Sequence, residues 1–234
     1  MSTAIVTGAS RGFGLALATD LSATGWNLVI DGRSEPSLAI ARETLTRVGS
    51  GVVRVVVGDV ADPSHQAELV DAAVEIGGFR LLVNNASDLG ATPLPHLVDY
   101  PIEPLRRVVE VNLVAPLALI QSSLPHIRSN RGVVINITSD AAVEAYEGWG
   151  GYGASKAALE QISHVLSLEE PELRVYWFDP GDMRTQMHQD AFPGEDISDR
   201  PLPESRVPAL IGLIGSDAPS GRFTASQLLD EVAS

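Results

Sequence analysis

Short runs rich in β-branched residues recur along this chain with helix-patterned stretches between them, and this alternation restricts the fold more than any other feature. Runs at 3–7, 27–31, 52–57, 80–84, 132–138, 173–178 and 221–225 read as strands. The stretches 14–24, 36–48, 64–76, 102–128 and 152–169 carry Ala, Leu, Val and Ile at helical spacing, supplying the crossover helices that parallel strands need. The expected fold class is α/β: a doubly wound parallel sheet of about seven strands with helices on both faces. No repeat, low-complexity tract or linker divides the 234 residues, so 1–234 reads as one domain, within the ~200–250 residues common for sheet-based domains.

Between 182 and 208 the rhythm breaks. Pro193, Pro201, Pro203 and Pro208 and several acids replace sustained periodicity. The insertion leaves the carboxyl end of the sixth expected strand, where open sheets of this class bind ligands, so a lid over a substrate is the favoured reading. A loop packed on a neighbouring subunit is the alternative.

Charge and cysteine content exclude several function classes. Sixteen Lys and Arg stand against 30 Asp and Glu, a net charge of −14, which opposes nucleic acid as a partner because that binding relies on clustered positive charge. With no Cys, there is no disulfide framework, Cys-ligated metal or thiol nucleophile, and no metal site is expected. Met1 runs directly into Ala4-Ile5-Val6, and no apolar run approaches the ~18–20 residues of a membrane span, so the expected location is cytoplasmic, without a membrane partner.

The first expected strand ends in Thr7-Gly8-Ala9-Ser10-Arg11-Gly12-Phe13-Gly14 and enters a helix. Glycines at 8, 12 and 14 permit a tight turn that brings main-chain N–H groups and the helix N-terminus close to a pyrophosphate. The second strand ends in Asp31-Gly32-Arg33-Ser34, near the distance at which an adenosine ribose is read. An acid there accepts from a free 2′-hydroxyl, whereas a guanidinium pairs with a 2′-phosphate. Gly32 followed by Arg33, with Arg11 as a second cation, favours NADPH/NADP+ over NADH/NAD+. Asp31 keeps the second cofactor open, and Arg33 could instead pair with Glu35.

Positive charge here is carried by 15 Arg and one Lys, Lys156. Tyr152 lies four residues earlier, on the same face of a helix that follows Gly148, Gly150 and Gly151. An ammonium beside a phenol favours phenolate and lowers its pKa from about 10, giving a proton donor that is readily recharged. Core packing plus a surface charge is the plain alternative. Ser139 closes the fifth strand, Val133-Val134-Ile135-Asn136-Ile137-Thr138-Ser139, and can orient a substrate oxygen. A Ser nucleophile needs a base and an elbow, and neither the five His residues nor a Gly-x-Ser-x-Gly pattern supplies them.

Together these stretches resemble the short-chain dehydrogenase/reductase family, in its compact single-domain Rossmann-type form, over essentially the whole chain. Residues 7–14 look like that family's cofactor turn, and Asp59-Val60 like its adenine-contacting pair. Asn84-Asn85-Ala86 resembles the motif ending the fourth strand, with Ser87 where glycine is usual. Asn112, Ser139, Tyr152 and Lys156 match the catalytic tetrad. Pro180-Gly181 and Thr185 resemble the nicotinamide-contacting segment, with Met183 where an aliphatic residue is common.

The resemblance implies hydride transfer between a nicotinamide and a carbonyl carbon, as a carbonyl reductase or, in reverse, an alcohol dehydrogenase. Tyr152 protonates the alkoxide, Ser139 hydrogen-bonds its oxygen, Lys156 tunes Tyr152 and holds the nicotinamide ribose, and Asn112 holds a water leading to Lys156. It also implies a homodimer or homotetramer built on 102–128, 152–169 and the last strand. A dinucleotide-binding sensor without turnover remains the alternative outside catalysis. Pocket candidates for a small-molecule carbonyl or alcohol are Asp88, Leu89, Glu144, Tyr146, Trp149, Met187 and His188, together with Met183.

Overall fold

The computed structural model describes residues 2–128 and 131–233. Seven strands form one wholly parallel sheet: β1 (Thr3–Val6), β2 (Asn27–Gly32), β3 (Val53–Val57), β4 (Leu81–Asn84), β5 (Val133–Ile137), β6 (Arg174–Asp179) and β7 (Gly221–Thr224). Their order across the sheet is β3-β2-β1-β4-β5-β6-β7, the doubly wound arrangement expected from the strand–helix alternation. Every expected strand is present to within a residue or two.

Alternate residues of each strand point to opposite faces, so the sheet carries two apolar layers. Ala4, Val6, Leu28, Ile30 and Phe178 pack on one side with Leu17 and Leu21 of α1 (Gly12–Ala23) and Leu38 and Leu45 of α2 (Glu35–Val48). Ile5, Val29, Leu82 and Val134 pack on the other, with Leu69 of α3 (Pro63–Glu75) and Leu119 and Ile120 of α5 (Ala115–Ile127). Side-chain caps start two of these helices: Ser34 accepts from the Ser37 N–H, and Asp62 from the Ser64 N–H, each ahead of a first-turn proline.

The expected helix over 102–128 is compound. It runs as α4 (Ile102–Val109), a π turn at Glu110–Val114, and then α5. Ile102–Ile127 is long and apolar enough by composition to cross a membrane, contrary to the sequence expectation that no stretch is. Its Val111, Ala115, Leu119, Ile120 and Ile127 are spent on the sheet core. The remaining helices are α6 (Gly150–Glu169), α7 (Gln186–Ala191), α8 (Val207–Gly215) and α9 (Ala225–Ala233). α7 lies inside the segment read as irregular. Arg184 helps fold that segment on itself, its N–H donating to the Pro201 carbonyl at 2.8 Å and its guanidinium to that of Ser198.

A polar chain crosses the second apolar layer. Asn84 donates to Asn136 at 2.8 Å, Asn136 to Ser163 at 2.7 Å, and Ser163 to the Leu159 carbonyl at 2.7 Å, all buried. These bonds tie β4, β5 and α6 together at the depth where apolar packing alone leaves register free. Asn136→Ala leaves a donor on Asn84 and the Ser163 hydroxyl without their partner. We expect a loss of about 2–4 kcal/mol in chemical denaturation. A change under about 0.5 kcal/mol, the size of an ordinary surface substitution, would contradict this role.

Candidate active site

β1 has β2 on one side and β4 on the other, and the chain winds away in opposite directions from that point. A crevice of about 1000 Å³ opens there, along the carboxyl ends of the strands. Its first wall is the glycine turn. Gly8 has φ +66°, and a Cβ on it would stand 2.8 Å from the Ala86 Cα; a Cβ on Gly14 would stand 2.4 Å from the Asn85 side chain. Side chains would therefore push the turn off the end of β4 and displace the main-chain N–H groups that form the cradle. α1 starts directly after the turn, and its N-cap residue Arg11 supplies no side-chain cap, leaving the first N–H groups for a ligand.

Thr7 and Asn85 hold this turn against β4. The Thr7 hydroxyl accepts from the Asn85 and Ala86 N–H groups at 2.9 and 3.0 Å, and the Asn85 amide donates to the Thr7 carbonyl at 2.8 Å. Ser10, Arg11, Gly12 and Phe13 line the crevice as expected, while Gly14 sits behind the wall in the packing.

At the adenosine end the two rival ribose residues separate. Asp31 is 2% exposed, and both carboxylate oxygens are engaged, one by the Gly8 N–H at 2.6 Å and the other by His65 Nε2 at 2.9 Å. It braces the glycine turn at the crevice floor, and its carboxylate is already engaged before any ribose is bound. Arg33 is exposed, lines the crevice, and makes no ion pair with Glu35 among the described residues. Across from it, Val60 and Asp59 line the wall. Burial pushes the Asp59 carboxyl up, but the Ala61 N–H, Arg107 and, farther off, Arg33 outweigh it and hold the pKa below its usual value. Arg107 of α4 donates to Asp59 at 2.6 Å and stands 3.7 Å from Asp88, bridging the two ends of the crevice. Sequence reasoning missed it, because an arginine in the middle of a helix carries no motif.

The catalytic candidates meet at the other end. Ser139 follows β5, and Tyr152 and Lys156 occupy successive turns of α6, all on the crevice wall. Lys156 is 2% exposed, donates to the Ile137 carbonyl at 2.8 Å, and places its ammonium 5.6 Å from the centre of the Tyr152 ring. Burial lowers the Lys156 pKa to about 8, so it stays charged at neutral pH. Burial also pushes the Tyr152 phenol well above its usual range, reinforced by the Asp179 and Asp140 carboxylates and opposed by hydrogen bonds to Ser87 and Ser139. The downward shift expected from Lys156 is therefore overridden: the phenol is held protonated.

Asn112 lies in the π turn, behind the wall rather than on it. Its amide donates to the Asp88 carbonyl at 2.9 Å and Ser155 at 3.0 Å, and accepts from the Asp88 N–H at 2.8 Å and Ser87 at 3.2 Å. With two donors and two acceptors used, the side-chain amide is fully engaged. It fastens the 87–88 loop to α6.

Beneath Ser139 lies a second feature without a sequence signal. Arg222 of β7 bonds Glu160 and Asp179, both at 3.0 Å, and reaches the Ser139 carbonyl at 3.3 Å. Glu160 also accepts from Thr138 at 2.8 Å, and Asp179 from the Gly181 N–H at 2.8 Å. The network fixes both the Ser139 turn and Pro180-Gly181, which line the crevice with Met183 and Thr185. Thr185 also caps α7, accepting from the His188 N–H at 3.2 Å.

Over Tyr152 the wall is aromatic. Trp149 meets Tyr152 edge-on at 5.7 Å and Phe192 at 5.9 Å, and Met187 packs in the same cluster. His188 stacks on Phe192 at 4.9 Å. Asp88 lines the crevice, while Leu89 is buried in the cluster behind it. Tyr146 departs from expectation. It is exposed, off the wall, and its hydroxyl sits 3.0 Å from Asp140 and 2.9 Å from Glu144, so these carboxylates hold it at the rim. Asp140 also accepts the Ser139 hydroxyl at 2.8 Å.

The turn, the open helix N-terminus and the crevice volume fit a dinucleotide, with the Tyr–Lys pair at its far end. Comparison with known proteins agrees with that geometry. The short chain dehydrogenase family model matches residues 2–196. Sepiapterin reductase of Rattus norvegicus is 33% identical over 197 residues, covering 79% of this chain and 75% of that protein. The 3beta-hydroxysteroid dehydrogenase 1 of Eggerthella lenta is 32% identical over 221 residues, covering 92% and 81%. An alcohol dehydrogenase from Thermococcus sibiricus, solved with 5-hydroxy-NADP, superposes with a TM-score of 0.86 at 25% identity, covering 96% of this chain and 95% of that one. With the family match spanning turn, tetrad and nicotinamide segment alike, the chain belongs to the short-chain dehydrogenases, oxidoreductases that act on CH–OH and C=O groups.

Proposed function

We propose that this chain is an NADPH-dependent carbonyl reductase, reversible as an alcohol dehydrogenase, acting on a neutral small-molecule ketone with a flat or ring-shaped apolar group. The observation that carries the reading is the Tyr152 phenol: buried, held protonated, and set between Ser139 and the Lys156 ammonium at the end of the crevice. A sensor has no need of such a proton donor. Arg11 and Arg33 at the adenosine end suit a 2′-phosphate, and the engagement of Asp31 by the Gly8 N–H and His65 occupies the acid that an NAD-linked enzyme would use. The Thermococcus sibiricus enzyme and its 5-hydroxy-NADP point the same way.

When bound, the nicotinamide supplies the hydride. The chain supplies the rest. Tyr152 donates its proton to the oxygen on which negative charge develops, and Ser139, released from Asp140, donates a hydrogen bond to the same oxygen. The Lys156 ammonium favours the phenolate that results, and the buried setting makes that attraction stronger than it would be in water. Trp149 and Met187, backed by Phe192, form an apolar wall for the ketone with His188 beside them, and the segment 182–208, carrying α7, serves as its lid. Acids at Asp88, Asp140 and Asp182 on the wall disfavour anionic substrates. Exposed apolar side chains on the long helices, among them Ile102, Val114 and Leu168, support a homodimer or homotetramer.

Tyr152→Phe removes the proton and little else. We expect ketone-dependent NADPH oxidation to fall by at least about a hundredfold, the scale of general-acid catalysis, with cofactor affinity unchanged; retained turnover overturns the assignment.

The pH dependence follows from Lys156, whose charged form is lost as pH rises through its lowered pKa of about 8. Because kcat/KM for the cofactor reports groups of the free enzyme, reduction should be flat at neutral pH and fall above about 8. Lys156→Met should be slow and without that limb. A limb that persists unchanged in the variant assigns it to another group.

A further inference from the structure

Resting on the reading of the glycine turn as a dinucleotide's phosphate cradle, we propose that His65 is a positioning residue for the cofactor: through Asp31 it sets the path of that turn, and through Gly58 it ties the turn to the adenine wall. It acts only through these two neighbours and touches no ligand itself.

The linkage is a chain of short contacts. His65 stands in the first turn of α3, 4% exposed, with its Nε2 at 2.9 Å from one carboxylate oxygen of Asp31 at the end of β2. The other oxygen accepts the Gly8 N–H at 2.6 Å. A carboxylate offers only lone pairs, so the hydrogen of the first contact is carried by His65 Nε2. The Gly8 N–H, spent on Asp31, is not one of the donors left for a phosphate. Its bond fixes where the chain leaves β1 at φ +66°, and with it the stretch Ser10 to Phe13 that lines the crevice.

The same imidazole packs on Gly58, where a Cβ would overlap His65 Nδ1 and stand 2.7 Å from its Cγ. Gly58 follows β3, its N–H donates to the Gly32 carbonyl at 3.0 Å, and Asp59 and Val60 come next on the crevice wall. α3 holds that wall from behind: the Asp62 N–H donates to the Asp59 carbonyl at 2.8 Å, and the Gln66 amide to the Val60 carbonyl at 2.8 Å. Wall and helix start form one piece, and His65 braces it against the glycine turn.

Packing alone does not account for an imidazole here. Among the described residues His65 Nδ1 is buried without a hydrogen-bond partner, a cost that a phenylalanine ring in the same space would avoid. Asp31 is equally buried, and apolar replacements for such pairs are often at least as stable. What the polar pair supplies, and an apolar pair cannot, is a held acceptor for the Gly8 N–H.

The test uses ligands that share different parts of the site. NADPH and NADH both carry the pyrophosphate, whereas adenosine 2′-monophosphate lacks it. His65→Phe keeps a ring on Gly58 and removes the donor to Asp31. We expect the Kd values for NADPH and NADH to rise together by about tenfold, the worth of a hydrogen bond to a charged group, with their ratio unchanged. Affinity for adenosine 2′-monophosphate, read by displacement of NADPH, should change by less than about twofold, as for independent sites. In turnover, KM for NADPH should rise with kcat unchanged, and His65→Gln, which restores an N–H donor, should recover part of the loss. His65→Leu gives the same reading should the phenylalanine variant not fold. Unchanged NADPH and NADH affinity overturns the proposal, and so does an equal loss for adenosine 2′-monophosphate, the mark of a merely structural collapse. A shifted NADPH to NADH ratio also overturns it, because His65 would then be masking Asp31 from a ribose. Failure of the unsubstituted protein to bind either dinucleotide removes the cradle reading and the proposal together, whereas normal binding there and in His65→Phe removes the proposal alone.

Discussion

The hydroxyl of Thr7 is the interaction on which the site depends. At the end of β1 it accepts the Asn85 and Ala86 N–H groups from the end of β4, while the Asn85 amide reaches back to the Thr7 carbonyl. These bonds join two parallel strands at the point where the chain winds away in both directions. Because Gly8 follows directly and Ala86 stands against it, the same contact sets the depth of the turn. Asp31 then braces the turn from below through the Gly8 N–H. A ligand phosphate would meet main-chain donors already fixed in place, so little ordering entropy remains to be lost on binding.

The opposite end of the crevice is organised by burial. Tyr152 and Lys156 are both shielded from water, and each is displaced toward its neutral form. Had the ammonium been exposed, its influence on the phenol would be screened. Arg222, Glu160 and Asp179 lie just beneath, an ion network in which burial raises the Asp179 carboxyl against the pull of the Gly181 N–H and Arg222. Such a network is weak evidence for stability, but it holds geometry well. Here it anchors the Ser139 carbonyl and the Pro180-Gly181 turn to the last strand, so the end of the sheet contributes to the site without touching it.

What the sequence disclosed and what it withheld divide along physical lines. Among the described residues, the seven strands and six of the nine α-helices were legible because period and propensity are local properties, and the glycine turn, Ser139, Tyr152 and Lys156 because each sits at a fixed offset from a strand or helix end. The π turn around Asn112 left no trace, since its side-chain pattern is that of an ordinary helix. α7 and α8 were missed in a region crowded with proline and short of sustained periodicity, and α9 because a nine-residue run is too short to register as a crossover helix. Asp31 and Arg33 lie two residues apart and both line the crevice, and what separates them is the pairing of the Asp31 carboxylate with the Gly8 N–H and His65, contacts distant in sequence. Tyr146 looked like a pocket residue because it adjoins Trp149 in sequence, but two carboxylates hold it at the rim. Arg107 and Arg222 act across distances in sequence that no local pattern records.

The central claim is that a chain of net charge −14 builds a crevice whose adenosine end is locally basic and whose far end holds a protonated phenol. Its most direct test is a parallel titration of the protein with NADPH and NADH, following energy transfer from its three Trp residues. Because Asp31 is engaged and Arg33 is presented, NADPH should bind at least about tenfold more tightly, the worth of a charge-assisted pair, and Arg33→Ala should erase most of the difference. Equal or tighter binding of NADH would contradict the account, and failure of both to bind would refute the dinucleotide site altogether.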